Sequence, residues 1–205
     1  MAVLRGTRRL TLRDGRAVAV RSANPSDAGA LAQLVDAVAA EPETWLLMVP
    51  GQRAAREWKK QIVQATAEPR SLVLVAILEG RMVGNLGLRP DPHGASAHVV
   101  VLGMSVVADL RGAGVGTAML ETALTWARAH GCAKMTLSVF PHNRRALAFY
   151  ERHGFVAEGL RRRQFMRQGR ALDELLMARF LDGSAAAPSG APPSTTPPSA
   201  TAPEG

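Results

Sequence analysis

The chain has 205 residues, 47% of them apolar and 20% charged, which is enough for one soluble domain with a core and short for two. A formal charge of +8 comes from 22 arginines against 3 lysines, and its dispersal (one tight run only, at 161–163) reads as a solvated surface and argues against nucleic-acid binding as the main function. The single cysteine, Cys132, excludes an internal disulfide and a multi-cysteine metal site, no apolar run suits a membrane span, and no secretory h-region follows the first residues, so the chain reads as cytoplasmic.

In chain order, LTLRDGRAVAV predicts two strands joined at Asp14-Gly15. Asn24 or Ser26 can cap a helix with apolar positions at Ala30, Leu31, Leu34, Val35 and Val38, and a second helix is expected over 52–66. SLVLVAILEGRMVGNLGL reads as two strands about Glu79-Gly80, and β-branched VVVLGMSVV as a strand over 98–107. After a glycine loop, Met119, Leu120, Ala123, Leu124 and Ala127 fall at helical spacing over 117–130, with Gly131 as C-terminal cap. KMTLSVF is a strand, Asn143 caps a helix running to His153, and two strands follow about the turn 167–170. This alternation predicts an α/β (α+β) domain with a central mixed sheet. The domain spans 1–182; the Pro/Ala/Ser/Thr-rich stretch 183–205 cannot bury enough apolar surface to fold and is expected to be a disordered tail.

The loop RGAGVGTAML raises three phosphate-binding readings. A dinucleotide fingerprint fails because Thr117 stands where its last glycine should be and no acid occurs between Glu121 and Glu151. A nucleoside-triphosphate loop fails for want of a lysine after the glycines. R-x-x-G-x-G, matched by Arg111, Gly114 and Gly116 between a strand and a helix, is left. Its physics is anion capture by unpaired N–H groups at a helix N-terminus.

MSVVADLRGAGVGTAML and, some thirty residues later, LSVFPHNRRALAFYERHGFVAEG together resemble the GNAT superfamily of N-acetyltransferases, which use acetyl-CoA. The phrases RMVGNLGL, HVVVLGMSV and LDELLMARFL are similar to the branch of ribosomal-protein and amino-acid N-acetyltransferases. The resemblance implies a mostly antiparallel, twisted sheet whose strands splay at the cofactor. It implies that Arg111, Gly112, Ala113, Gly114, Val115, Gly116 and Thr117 cradle the coenzyme A pyrophosphate. The backbone of Ser105, Val106 and Val107 would be free for the pantetheine arm, with the Val106 N–H bonding the thioester oxygen as it becomes an oxyanion. Asn143 would add a cofactor contact to its capping role. Tyr150, the chain's one tyrosine, would serve as general acid to the departing thiolate, a role a phenol can fill beside a thiol. Core packing is the alternative for Val106 and Tyr150.

The acceptor is expected to be a primary amine, of a small molecule or of a protein or peptide, attacking directly in a ternary complex. Candidates for its base are Glu41, Glu43, His98, His142 or a water relay. Cys132 lacks evident partners for covalent catalysis, and the five scattered histidines offer no metal spacing. Arg144, Arg145 and Arg152 could meet the cofactor's phosphates, and strand alternation would turn Arg162 away from Arg161 and Arg163. Two other functions compete: a non-catalytic acyl-CoA sensor and a basic RNA- or ribosome-binding module. Nine aromatics argue against the latter, and a homodimer stays open.

Overall fold

Alternating burial explains the central strands. In the computed structural model, which describes residues 6–41 and 46–183, β3 (Leu72–Leu78) sends Leu72, Leu74 and Ala76 into one core and Val73 and Val75 into another. A strand buried on both faces reads as an unbroken apolar run, as LVLVAIL does. The first core is completed by α3 (Val115–Ala129) and by Leu147 and Tyr150 of α4 (Arg144–Arg152). The second is completed by α1 (Ala28–Ala39) and α2 (Ala55–Ala67), through Leu31, Val35, Trp58 and Ile62.

The sheet has eight strands in the order β1-β2-β3-β4-β5-β6-β8-β7. The others are β1 (Arg8–Thr11), β2 (Ala17–Ser22), β4 (Arg81–Pro90), β5 (Val99–Val106), β6 (Lys134–Val139), β7 (Val156–Arg167) and β8 (Arg170–Phe180). Every neighbour is antiparallel except β5 and β6, whose parallel run uses α3 as its crossover. The expected hairpins at 78–81 and 167–170 are two-residue turns: Leu78 pairs with Arg81 and Arg167 with Arg170. The helix expected from Thr117 begins at Val115, because the last loop residues wind into its first turn. The five apolar positions read as its buried stripe are all buried.

Two features position the site. Strands β5 and β6 pair only over Val99–Val101 and Lys134–Thr136; beyond that β5 stays with β4 and β6 with β8. A gap therefore opens toward Val106. At the far end of the β7–β8 hairpin, Arg167 donates to the carbonyls of Leu46 and Met48, both at 2.6 Å, tying the hairpin to the segment after α1. The expected alternation at 161–163 does not hold. The register shifts between Arg161 and Phe165, Arg163 takes φ 53°, and its N–H donates to Asp173 Oδ1 at 2.7 Å. Bulges of this kind re-aim side chains that simple alternation would fix. No helix among the described residues is long and apolar enough to cross a membrane.

Candidate active site

One cleft of about 1580 Å³ runs through the molecule, and the β5–β6 gap joins its two limbs. One limb faces the glycine loop and α4, the other the sheet face beneath α2.

Alternation along β5 decides which backbone groups enter the gap. The Val107 N–H donates to the Val83 carbonyl at 3.1 Å, so odd-numbered residues there turn their backbone toward β4. Ser105 is accordingly spent on Asn85, its register partner, and the Val107 carbonyl accepts from the Leu110 N–H at 3.2 Å. The expectation that Ser105 and Val107 keep free backbone is therefore corrected. Val106 and Met104 turn the other way, into the gap; Met104 was missed because sequence does not show which parity faces β4. The Val106 carbonyl already accepts from Arg111 Nε at 3.0 Å, which leaves its N–H.

Arg111 does not do what the motif suggests. Its guanidinium is bidentate to Glu41, at 2.5 and 2.7 Å, while Nε holds the Val106 carbonyl. Both partners are mostly covered, with side-chain exposures of 20% and 23%. Arg111 thus fixes the end of β5 to the end of α1 instead of pointing at the loop's N–H groups, and Glu41 is its counter-ion. Ala113 is also withdrawn, since its N–H donates to Leu110 and its carbonyl accepts from Arg13.

The rest of the loop fits an anion. Gly112 and Gly114 take φ 90° and 111°, a left-handed backbone that aims successive N–H groups to one side and disfavours a Cβ. The first bond into α3 runs from the Ala118 N–H to Gly114 at 3.0 Å, so the N–H groups of Val115, Gly116 and Thr117 are the helix's unpaired ones. Arg145 stands beside them: a Cβ on Gly112 would lie 3.2 Å from its Nη2. Arg144 and Arg152 line the same limb.

Across the gap, Asn143 caps α4 by accepting the Ala146 N–H at Oδ1, 3.0 Å. Its amide nitrogen is the group left for a ligand. Tyr150, two turns on, lines the cleft at 8% exposure, packed edge-on against Phe149 and Phe155. Burial pushes its phenol up to about 12, so it stays protonated at neutral pH. Ser138, absent from the sequence reading, lines the cleft from β6.

The base candidates part company. Glu41 is paired with Arg111, and Glu43 lies outside the described residues. His98 is exposed at the opposite end of β5, roughly 27 Å along the strand from Val106. His142 lines the cleft, stacked on Phe140 at 5.3 Å. Cys132 is buried away from the cleft and desolvation raises its thiol, so it is no nucleophile. No metal-binding cluster occurs among the described residues.

The resemblance implies an acceptor cleft beside the segment between the first two helices, but most residues that line the second limb were not foreseen. Its floor is Asn85, Gly87, Gly103 and Ser105, and its wall is α2 with Trp58 and Gln61. The one available signal was glycine inside RMVGNLGL and VVVLGMSVV, since glycine in a strand interior marks a close approach.

Comparison with known proteins agrees with this geometry. The chain is 28% identical over 168 residues to the L-amino acid N-acetyltransferase AaaT of Escherichia coli K12, covering 79% of this chain and 97% of that one. Its fold matches a ribosomal-protein-alanine N-acetyltransferase from Brucella melitensis (TM-score 0.71, 25% identity, 79% of this chain and 99% of that one). It also matches a phosphinothricin acetyltransferase from Sinorhizobium meliloti in complex with acetyl-CoA (TM-score 0.73, 20% identity, 88% and 94%). The sequence model of the Acetyltransferase (GNAT) family matches residues 34–155, more than half of the chain. With its split sheet, glycine loop and single α/β domain, the chain belongs to the GNAT family and is an acyltransferase.

Proposed function

We propose that this protein moves the acetyl group of acetyl-CoA to a primary amine by direct attack within a ternary complex. The observation that carries this reading is the β5–β6 gap, where the Val106 N–H and Tyr150 share one cleft with the unspent N–H groups of the glycine loop.

The N–H groups of Gly112, Gly114, Val115, Gly116 and Thr117, with Arg145 beside them, suit the pyrophosphate. The outward backbone of Met104 and Val106 and the Asn143 amide suit the pantetheine arm. Bound there, acetyl-CoA would supply an activated thioester: a C–N bond forms, the C–S bond breaks, and coenzyme A departs as a thiolate that takes its proton from water. The Val106 N–H donates to the carbonyl oxygen as negative charge builds on it, a contribution of ~3 to 4 kcal/mol for a preorganised donor. Tyr150 donates its phenolic hydrogen bond to the departing sulfur. With the phenol near 12 and a thiol near 8.5, Tyr150 stabilises the thiolate as a donor more than it surrenders a proton outright. The amine gives its proton to water or His142, and an α-amine near 8 needs little help.

Calorimetric titration of the full chain with acetyl-CoA, with NAD and ATP in parallel, tests the cofactor half. Thiol release with an amine panel tests the transfer. Selective acetyl-CoA binding and amine-dependent thiol release are expected. A folded protein that does not bind acetyl-CoA ends this reading; one that binds it and releases no thiol with any amine is a sensor.

A further inference from the structure

Glu41 stands where helix electrostatics would not put it. It follows Ala40, the C-terminal cap of α1, and its N–H donates to the Val38 carbonyl at 3.4 Å. The last turn of α1 carries no basic residue, so the carboxylate sits at the negative end of the helix dipole with no cation from its own helix. Its partner comes from across the chain: Arg111 Nη1 and Nη2 donate to its two oxygens at 2.7 and 2.5 Å, in a mostly covered pair. An acid so placed is best explained by what it does to Arg111.

Arg111 is engaged on its other side as well. Nε donates to the Val106 carbonyl at 3.0 Å, and the N–H of the same peptide group, that of Val107, donates to the Val83 carbonyl at 3.1 Å. The peptide after Val106 is therefore held from both sides, by β4 and by Arg111. This matters because Val106 is the last residue of β5, where the ladder with β4 ends at the Gly84–Val106 pair. The preceding peptide carries the Val106 N–H, the donor assigned above to the developing oxyanion, and such a donor is effective only while its direction is fixed in advance. Arg111 also lines the cleft next to Gly112, in the limb that suits an anion. A guanidinium released from Glu41 there would be drawn to a bound phosphate.

We infer that Glu41 is a positioning residue for acetyl transfer: it withholds Arg111 from the coenzyme's phosphates and keeps it on the Val106 carbonyl, so that cofactor affinity is reduced and the oxyanion donor is fixed. The inference rests on the acetyl-transfer reading. It adds a division of roles within R-x-x-G-x-G, in which the loop N–H groups hold the anion and the arginine holds the strand.

The test uses full-length protein, acetyl-CoA and the amine that releases thiol fastest in the panel above. Glu41→Gln keeps the side chain's size and loses its charge. It is expected to lower kcat about tenfold, to leave the amine KM within about twofold, and to tighten acetyl-CoA binding about threefold or more by calorimetry, because Arg111 is released toward the phosphates. Arg111→Gln should lower kcat as far without the tightening, and the double variant should be no slower than Arg111→Gln, since Glu41 acts through Arg111. Glu41→Asp, which keeps the charge, should recover part of kcat. The pH profile of kcat should keep its shape in Glu41→Gln, which loss of a general base would not allow. If Glu41→Gln does not fold, Arg111→Lys, which keeps a cation for Glu41 and loses the bond to Val106, carries the test through the same fall in kcat at an unchanged Tm. An unchanged kcat, acetyl-CoA binding no tighter than wild type in folded Glu41→Gln, additive losses in the double variant or an altered profile would each overturn the assignment. Failure of the acetyl-transfer reading would be seen separately, as a folded wild type that binds no acetyl-CoA or releases no thiol, and would take this inference with it.

Discussion

Tyr150 ties burial to the chemistry proposed for it. Its ring is packed between Phe149 and Phe155, and the same packing that holds it raises its phenol to about 12. Tyr150→Phe keeps the packed ring and loses the donor, so kcat is expected to fall about 10²-fold or more with little change in acetyl-CoA affinity, measured by thiol release and calorimetry. The stability consequence has a definite sign. The phenol ionises near 10 in the unfolded chain and near 12 in the fold, so between them only the unfolded state loses the proton. Stability is lost as pH rises from about 10 through 12, by roughly 2 to 3 kcal/mol, and Tyr150→Phe should lack that loss when urea unfolding of both proteins is compared across this range. Arg111 and Glu41 make the second case. For a bidentate pair this well covered, a double-mutant cycle of Arg111→Gln and Glu41→Gln should return a coupling of about 1 to 3 kcal/mol by urea unfolding; a value near zero would mean the pair is ornamental.

Among the elements, helix α4 would carry two duties on one cap under the proposed function. Asn143 Oδ1 is committed to the Ala146 N–H, so the cap and the proposed ligand contact fall on different atoms of one amide. Asn143→Ala should cost ~1 kcal/mol of stability and weaken acetyl-CoA binding together, whereas Asn143→Ser should restore the cap and leave the binding defect. Recovery of both by serine would show that the amide nitrogen contributes nothing. The elements themselves were legible because their causes are local. The stripe of α3 and the turns at 79–80 and 168–169 each depend on residues a few positions apart. The bulge at 161–165 was not legible, because it is set by pairing with β8 and by the Asp173 carboxylate ten residues on.

For the molecule as a whole, a surplus of eight positive charges and an arginine-lined limb would favour the anionic cofactor proposed above. Association with acetyl-CoA, followed by stopped-flow fluorescence, should slow several-fold between low and high salt while dissociation changes less, the mark of electrostatic steering. Equal slowing of dissociation would argue against it. Periodicity, turn chemistry and motif spacing act over short stretches of chain, so the order of the elements, the glycine loop, the Asn143 cap and the family resemblance could be read without the fold. Folding alone settles that Arg111 spends its charge on a glutamate 70 residues away, that Met104 and Val106 rather than Ser105 and Val107 face the gap, and that His98 lies at the wrong end of its strand. It alone brought Gly87, Gly103 and Trp58 around one groove. The physical reason is common to all of these: register, strand parity and the layering of helices on a sheet are set by pairings between distant segments, and no single segment holds that information.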